Sequence, residues 1–303
     1  MTGWKMELTL PDNLVPMVQE IIYGLDGTNF PTLSDFEIEK NSHSRLLEAY
    51  FSHRPDIAAL RHRLQDILPA FDLSQAGIIL SETEEKDWVS ESQKLLQPVN
   101  SGLFFVYGCH DTDKIPPDRI NILLEAGQAF GTGQHETTHG CLLAIGELAE
   151  EIELPETALD LGCGAGLLAI AMYRLWPTTI VASDIDPIAT ETTCDNVRTN
   201  GIPLVAVGTG KAGIAAITSD GFGSPDLQYD SPYDVIVANI LAGPLQDMAA
   251  DIVANLSGDG SLILSGLLDR QEKAVLDSYT KEGMGLVRRY VRGEWHSLML
   301  RRK

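Results

Sequence analysis

Residues 158–187 read ALDLGCGAGLLAIAMYRLWPTTIVASDIDP, and this stretch decides the fold. It opens with a short, mainly apolar run, 158–161, that is typical of a buried parallel strand. Three glycines follow, and an apolar run over 167–175 then predicts a helix. A second strand is predicted at 179–183 and leads into Asp184. A doubly wound nucleotide-binding fold places a carboxylate there, where it accepts hydrogen bonds from ribose hydroxyls.

The spacing of the glycines indicates which cofactor the turn binds. Dinucleotide folds have G-x-G-x-x-G, whereas Gly162, Gly164 and Gly166 follow G-x-G-x-G. Asp160 precedes them, and its carboxylate would repel a diphosphate but attract a cation. The pattern therefore resembles motif I of the class I methyltransferases, whose cofactor S-adenosylmethionine carries an ammonium, a sulfonium and no phosphate. The alternative is that the glycines only pack a helix against a sheet.

Composition restricts the class of protein. The chain has 303 residues, which is room for about two domains, and a net charge of −21 from 43 acidic and 22 basic residues. A field of this sign repels phosphate backbones and attracts basic proteins, so we expect no direct nucleic-acid partner. There is no apolar run of about 18 residues and no signal peptide, so we expect a cytoplasmic protein with no membrane partner. We also expect a monomer.

The four cysteines and the histidines show no metal-binding pattern. Cys109, Cys141, Cys163 and Cys194 are widely spaced and form no C-x-x-C pair. We therefore expect reduced thiols and no metal site.

Residues 1–82 predict a small α+β domain. Apolar periodicity predicts strands at 4–10, 33–39, 46–52 and 77–80, with helices that begin at Pro11 and Pro55. This βαββαβ order is the ferredoxin-like plan, an antiparallel sheet with both helices on one face. It contains no catalytic constellation. The charged, weakly amphipathic segment 83–99 predicts a linking helix, and a second domain then covers 100–303.

The second domain alternates strands with helices, which is typical of an α/β fold. Short strands are expected ahead of the glycine motif at 103–107 and 120–125. After the motif, strands are expected at 204–207, 233–238, 261–265, 286–291 and 295–301, with 211–232 irregular. Helices are expected at 140–150, 187–200 and 269–283, and from Gly243 onward. We predict a Rossmann-like sheet of seven strands in the class I methyltransferase order 3-2-1-4-5-7-6.

A glycine-rich loop precedes the motif strand. Residues 125–138, EAGQAFGTGQHETT, predict an irregular loop whose last three residues cap the helix 140–150. Such a loop would lie over the open side of the cofactor. The alternative is an ordinary capping loop.

Asn239 follows the predicted strand 233–238. Ligands of open α/β sheets bind at the carboxyl ends of the strands, so Gly162, Asp184 and Asn239 are expected to meet in one crevice. An Asn in this position can accept a hydrogen bond from an incoming amine. The alternative is an Asn that only closes a turn before Gly243.

Four motifs together resemble the PrmA family, the bacterial methyltransferases that modify large-subunit ribosomal protein eleven, L11. They are AFGTGQHETT at 129–138, DLGCGAG at 160–166, SDIDP at 183–187 and ANILAGPL at 238–245. The resemblance covers residues 85–303 by motif and residues 1–82 by plan only. It implies S-adenosylmethionine-dependent methylation of the N-terminal and lysine amines of L11, with the first domain recognising the substrate.

The resemblance also implies roles for individual residues. The cofactor contacts fall on Thr138, Gly162, Asp184 and Asn239. Further cofactor contacts are expected from Thr132, Asp160 and Gly164. Asn239 would also orient the acceptor amine, and Phe130 would supply an apolar wall beside it. His135 is a candidate general base, with a structural role as the alternative.

One departure from the family pattern occurs at the start of the loop. Glu125-Ala126-Gly127 stands where Asp-Pro-Gly is expected, which makes the loop less rigid there.

Two other functions are compatible with the sequence. One is an N-methyltransferase of the same fold that acts on another protein or on a small-molecule amine. The other is a binding module that keeps the cofactor site without catalysis.

Overall fold

The computed structural model of the chain describes residues 3–23, 31–37, 44–51, 53–67, 78–83, 98–124 and 136–303. The chain divides into two compact units, Met1–Trp88 and Val89–Lys303. Almost all of the predicted linking helix lies outside the described residues, so the domain limits at 82 and 99 stay a prediction.

The N-terminal unit has the βαββαβ order that the sequence predicts. Its elements are β1 (Gly3–Pro11), α1 (Val15–Tyr23), β2 (Thr32–Glu37), β3 (Ser44–Phe51), α2 (Ile57–Ile67) and β4 (Ile79–Thr83). The sheet order is β2-β3-β1-β4, and every pairing is antiparallel. Alternate residues of β1, such as Met6 and Leu8, are buried with Val18, Ile22 and Leu60 of the helices. The period-2 pattern of the strand thus gives the sheet one covered face.

The C-terminal unit contains a seven-stranded sheet. Its strands are β8 (Thr157–Leu161), β9 (Thr179–Asp184), β10 (Gly213–Thr218), β11 (Tyr233–Asn239), β12 (Leu256–Leu268), β13 (Met284–Arg292) and β14 (Trp295–Arg302). The order is β10-β9-β8-β11-β12-β14-β13, which is 3-2-1-4-5-7-6 when counted from β8. Only β14 runs antiparallel to its two neighbours. This is the sheet order that the sequence predicts.

Helices cover both faces of this sheet. They are α3 (Glu136–Glu151), α4 (Leu167–Leu175), α5 (Pro187–Thr199), α6 (Ala242–Asp247), α7 (Ala249–Ala254) and α8 (Asp269–Lys281). Side chains of β11 alternate between the two cores: Val235 and Val237 pack with α3 and α4, whereas Ile236 packs with α6 to α8. Strands buried on both faces are apolar throughout, which explains the continuous runs in the sequence.

A smaller sheet precedes α3. It consists of β5 (Val99–Ser101), β6 (Phe104–Tyr107) and β7 (Ile120–Leu123), in that order. The sequence predicts β6 and β7 but not the three-residue strand β5. Phe104 and Ile122 are fully buried in the core that contains α3 and α4.

The prediction of the third strand at 204–207 is wrong, because β10 lies in the segment 211–232 that was expected to be irregular. Leu204 forms only an isolated bridge with Ile214 of β10. Three of the six residues of β10, GIAAIT, are Gly or Ala, which are depleted in strands, so its strand signal is weaker than that of residues 204–207. Pairing with β9 over six residues decides the outcome.

The predicted start of the helix at residue 140 is also wrong, because α3 begins at Glu136. Thr137 and Thr138 therefore lie in its first turn and are not capping residues. Gly140 weakened the helical pattern because glycine costs about 1 kcal/mol relative to Ala in a helix interior.

Candidate active site

The carboxyl ends of β8, β9 and β11 lie side by side. Leu161, the last residue of β8, is in register with Ser183 of β9 and with Ala238 of β11. The residues that follow each of them, Gly162, Asp184 and Asn239, therefore meet at one edge of the sheet. This is the crevice in which open α/β folds bind ligands.

Gly162 is required by both its backbone conformation and its surroundings. Its φ is +78°, and a Cβ atom there would lie 2.2 Å from Cγ2 of Ile240. The amide groups of Gly162 and Cys163 both donate to the carbonyl oxygen of Ser183, at 2.7 and 3.0 Å. The glycine turn is thus fixed to the end of β9, and β11 approaches it closely.

Two polar residues of α5 hold the other side of the turn. Thr193 Oγ1 donates to the carbonyl oxygen of Gly164 at 2.9 Å, and Asn196 Nδ2 donates to that of Ala165 at 2.9 Å. Both side chains are buried. Sequence reasoning missed them, although polar residues on the inner face of an amphipathic helix are a usable signal.

Asp184 links the end of β9 to the glycine turn. Its Oδ2 accepts from the amide of Gly164 at 2.8 Å, and its Oδ1 accepts from that of Asp186 at 3.0 Å. The side chain is partly exposed. An ionised carboxylate offers about four acceptor positions, so two remain for hydroxyl groups of a ligand.

Asp160 is a fully buried carboxylate that is only half satisfied. Its Oδ2 accepts from the amide of Ala169 at 2.9 Å, whereas Oδ1 has no hydrogen-bond partner among the described residues. The pKa of Asp160 is raised to about 7, first by burial and also by the charge of Asp184, against the hydrogen bond from Ala169. A cation bound at the glycine turn would lower the free energy of this site, and a diphosphate would raise it. The acidic groups at this turn therefore fit S-adenosylmethionine and not a dinucleotide.

Asn239 brings α3 to the site. Its Nδ2 donates to Oγ1 of Thr138 at 3.4 Å, and the Thr138 side chain is buried. The next residue, Ile240, packs between Gly162 and Gly266, which both have positive φ. A Cβ atom at Gly162 would lie 2.2 Å from Ile240 Cγ2, and one at Gly266 would lie 2.1 Å from the Ile240 carbonyl oxygen. The backbone after Asn239 is thus held from both neighbouring strands.

The comparison with protein families decides the identity of the chain. The family described as "Ribosomal protein L11 methyltransferase (PrmA)" matches residues 26–303. The chain belongs to this family.

Individual members of the L11 methyltransferase family give the same result. A ribosomal protein L11 methyltransferase from Brucella melitensis biotype 2 is 46% identical over 225 residues, 73% of this chain and 76% of that protein. One from Rhizobium meliloti strain 1021 is 41% identical over 244 residues, 80% of each. The crystal structure of a ribosomal protein L11 methylase from Lactobacillus delbrueckii subsp. bulgaricus has a TM-score of 0.59 at 27% identity. It aligns over 69% of this chain and 100% of that one.

Membership of the L11 methyltransferase family confirms the class of enzyme that the motifs predict. The chain is a class I methyltransferase, and its methyl donor is S-adenosylmethionine. The described residues contain no group of three or more His, Cys, Asp or Glu side chains arranged to bind a metal ion.

The structure brings six of the nine predicted site residues to this edge of the sheet. They are Thr138, Asp160, Gly162, Gly164, Asp184 and Asn239. Phe130, Thr132 and the candidate base His135 lie outside the described residues. The contacts of all these residues with cofactor and substrate stay predictions.

Proposed function

We propose that the chain transfers methyl groups from S-adenosylmethionine to amino groups of ribosomal protein L11, both the N-terminal α-amine and lysine ε-amines. The observation that carries this proposal is the crevice of Asp160, Asp184 and Asn239 in a chain that matches the L11 methyltransferases over residues 26–303. The sheet edge offers carboxylates and backbone amides to the donor, and an amide side chain to the acceptor.

The cofactor side of the crevice binds S-adenosylmethionine through its shape and its charge. Gly162 and Gly164 let the donor approach the backbone, and Asp184 accepts from its ribose hydroxyls. Thr138, Thr132 and Asp160 complete this side. S-adenosylmethionine, when bound, supplies a methyl group on a positively charged sulfur. The buried carboxylate of Asp160, when ionised, favours a positively charged ligand.

The acceptor side must present a neutral amine in line with the methyl group. Deprotonation at pH 7 costs about 4.6 kcal/mol for a lysine of pKa 10.4 but about 1 kcal/mol for an α-amine near 7.7. An α-amine is therefore the easier acceptor, and a lysine needs desolvation beside an apolar wall, for which we propose Phe130. Asn239 orients the amine, because reaction requires a separation of about 3–3.5 Å and alignment.

The N-terminal unit is the proposed substrate-recognition domain, residues 1–82. The outer face of its sheet carries Lys5, Glu7, Glu48 and Tyr50, with Lys5 Nζ at 2.8 Å from Glu7 Oε1 and 2.6 Å from Glu48 Oε1.

The net charge of −21 attracts a basic protein and disfavours direct contact with nucleic acid. Every helix among the described residues is too short or too polar to span a bilayer. Action as a monomer in the cytoplasm belongs to the same proposal.

The test of this proposal uses the full chain and purified acceptors. Radiolabelled S-adenosylmethionine is incubated with the enzyme and purified L11, the remaining ribosomal proteins, or small-molecule amines. We expect label on L11, at positions that mass spectrometry assigns to amino groups. Label on another protein or on a small amine instead of L11 would support the rival N-methyltransferase. Donor binding without any transfer would support a binding module.

A further inference from the structure

Two buried serines contact the first turn of α3 from the neighbouring strands. Ser265 of β12 lies in register with Asn239 of β11, and its side chain is completely buried. Ser297 of β14 is 2% exposed. Their Oγ atoms are 2.6 Å apart. Neither serine belongs to a motif in the sequence, so only the fold brings them together.

The two hydroxyls converge on one backbone acceptor, the carbonyl oxygen of Thr137. Ser265 Oγ lies 3.1 Å from it, and Ser297 Oγ lies 3.5 Å from it. Ser265 is therefore the better donor to this carbonyl, which leaves Ser297 to donate to the Ser265 oxygen, although either hydroxyl can be the donor in that pair. This arrangement satisfies both buried hydroxyl hydrogens. It joins β14, β12 and α3 through two hydrogen bonds.

The backbone is adapted to this contact at two positions. A Cβ atom at Gly140 would lie 2.2 Å from Ser297 Oγ, so α3 can approach β14 only with glycine there. The pairing of β12 with β14 shifts in register between Leu264 and Leu267, which is the effect of a β-bulge. Bulges redirect side chains at functional edges of sheets. Here the bulge includes Ser265.

The carbonyl that the serines hold belongs to the residue before Thr138. Thr138 Oγ1 in turn accepts from Asn239 Nδ2 at 3.4 Å. A shift of the first turn of α3 would therefore change the place of Thr138 relative to Asn239. We propose that Ser265 and Ser297 are positioning residues, which set the contact between Thr138 and Asn239. This inference rests on the proposed function, because it explains how two proposed site residues are placed.

The test is a double-mutant cycle in the full-length enzyme. Ser265→Ala and Ser297→Ala are each made alone and combined with Thr138→Val, which removes the hydroxyl at similar volume. We measure kcat/KM for L11 and the Kd for S-adenosylmethionine by calorimetry. Ser265→Ala should lower kcat/KM about tenfold and Ser297→Ala about threefold, which corresponds to one buried hydrogen bond or part of one. In the Thr138→Val background each serine change should cost less than about twofold, because the two changes act through the same contact.

Ser261→Ala is the matched control. Ser261 lies on the same strand, is 1% exposed and accepts from Arg301 Nε at 2.9 Å. Arg301 also donates to Glu151, at the opposite end of α3 from Thr137. Ser261→Ala should leave kcat/KM and Kd unchanged. Serine changes that cost the same factor with and without Thr138 would overturn the inference, as would wild-type kinetics in both alanine variants.

The two readouts separate this inference from the proposed function. A wild-type enzyme that binds the donor but does not methylate L11 contradicts the proposed function. In that case the effects of Ser265→Ala and Thr138→Val on the Kd for S-adenosylmethionine still test the positioning role. Non-additive effects would support it, and additive effects would contradict it.

Discussion

At the scale of single residues, Asn239 tests the proposed chemistry most directly. Its amide faces Thr138 Oγ1 at the end of β11. Asn239→Ala should lower kcat about 100-fold, because misplacement of the acceptor by about 1 Å has an effect of that size. The donor Kd should rise about tenfold at most, as for one lost hydrogen bond. Single-turnover kinetics and calorimetry measure the two quantities. Equal losses in both would remove the role of Asn239 in orienting the amine.

Gly162 gives a prediction that separates backbone strain from steric overlap. Gly162→Ala adds a side chain at φ +78° and a contact of 2.2 Å with Ile240, whereas Gly201→Ala adds one at φ +66° with nothing within 4 Å. Both changes should cost about 1–2 kcal/mol of strain. Gly162→Ala should cost about 1–3 kcal/mol more and abolish donor binding. Urea unfolding and calorimetry measure these effects, and similar behaviour of the two variants would contradict the assignment.

Asp160 makes the stability of the ligand-free protein depend on pH. The pKa of its carboxyl is raised from 3.8 to about 7, so the folded state binds a proton that the unfolded state has released. This contribution stabilises the fold fully below about pH 4 and is lost as the pH rises through 7. Asp160→Asn removes it, and the variant should gain stability relative to wild type as the pH rises from about 4 to 7, by at most about 4 kcal/mol.

The measurement is urea unfolding of both proteins across this pH range. Comparing the two proteins cancels the pH-dependent stability that comes from carboxyls with lowered pKa values, such as Glu272 beside Arg289. A difference between wild type and Asp160→Asn that stays constant with pH would show that the Asp160 carboxyl is ionised throughout.

At the scale of elements, α5 supports the glycine turn through its buried polar residues. Thr193→Val should remove the hydrogen bond to Gly164 and cost about 1–2 kcal/mol in the free energy of unfolding, with weaker donor binding. Thr192→Val is the matched control, because Thr192 is the preceding residue, is more exposed and donates only within its own helix to Ile188. It should cost less than about 0.5 kcal/mol. Equal donor affinity in both variants would contradict this function of α5.

The accuracy of the sequence predictions differs between elements for physical reasons. The segment from β8 to β9 is predicted closely because each part has a local signature: an apolar run, three glycines and a terminal carboxylate. The strand β10 is missed because Gly and Ala give little local signal, and its pairing with β9 decides the structure. The start of α3 is missed because Gly140 suggests a boundary, whereas its actual partner, Ser297, is distant in sequence.

The candidate site shows the same division. Gly162, Asp184 and Asn239 could be placed from the sequence because strand ends in a parallel sheet share an edge. Thr193 is missed although its position on the inner face of α5 is a signal. Ser265 and Ser297 could not be placed, because their contacts depend on which elements become neighbours.

At the scale of the whole molecule, the net charge of −21 predicts how the substrate is captured. If the substrate presents a basic surface, attraction should accelerate its association with this enzyme. Raising the salt concentration from 50 to 500 mM should increase KM for L11 at least tenfold and change the donor Kd less than about twofold. Steady-state kinetics and calorimetry at several salt concentrations measure this. A salt-independent KM would show that charge does not contribute to capture.

The unsatisfied carboxylate of Asp160 has a consequence for the lifetime of the enzyme. A ligand that binds only the native state stabilises it by RT ln(1 + [L]/Kd), and here the ligand also brings a countercharge to a group that otherwise strains the fold. Resistance to proteases should therefore follow the supply of the methyl donor. A cell rich in donor would keep more of this enzyme than a starved one, without any change in its synthesis.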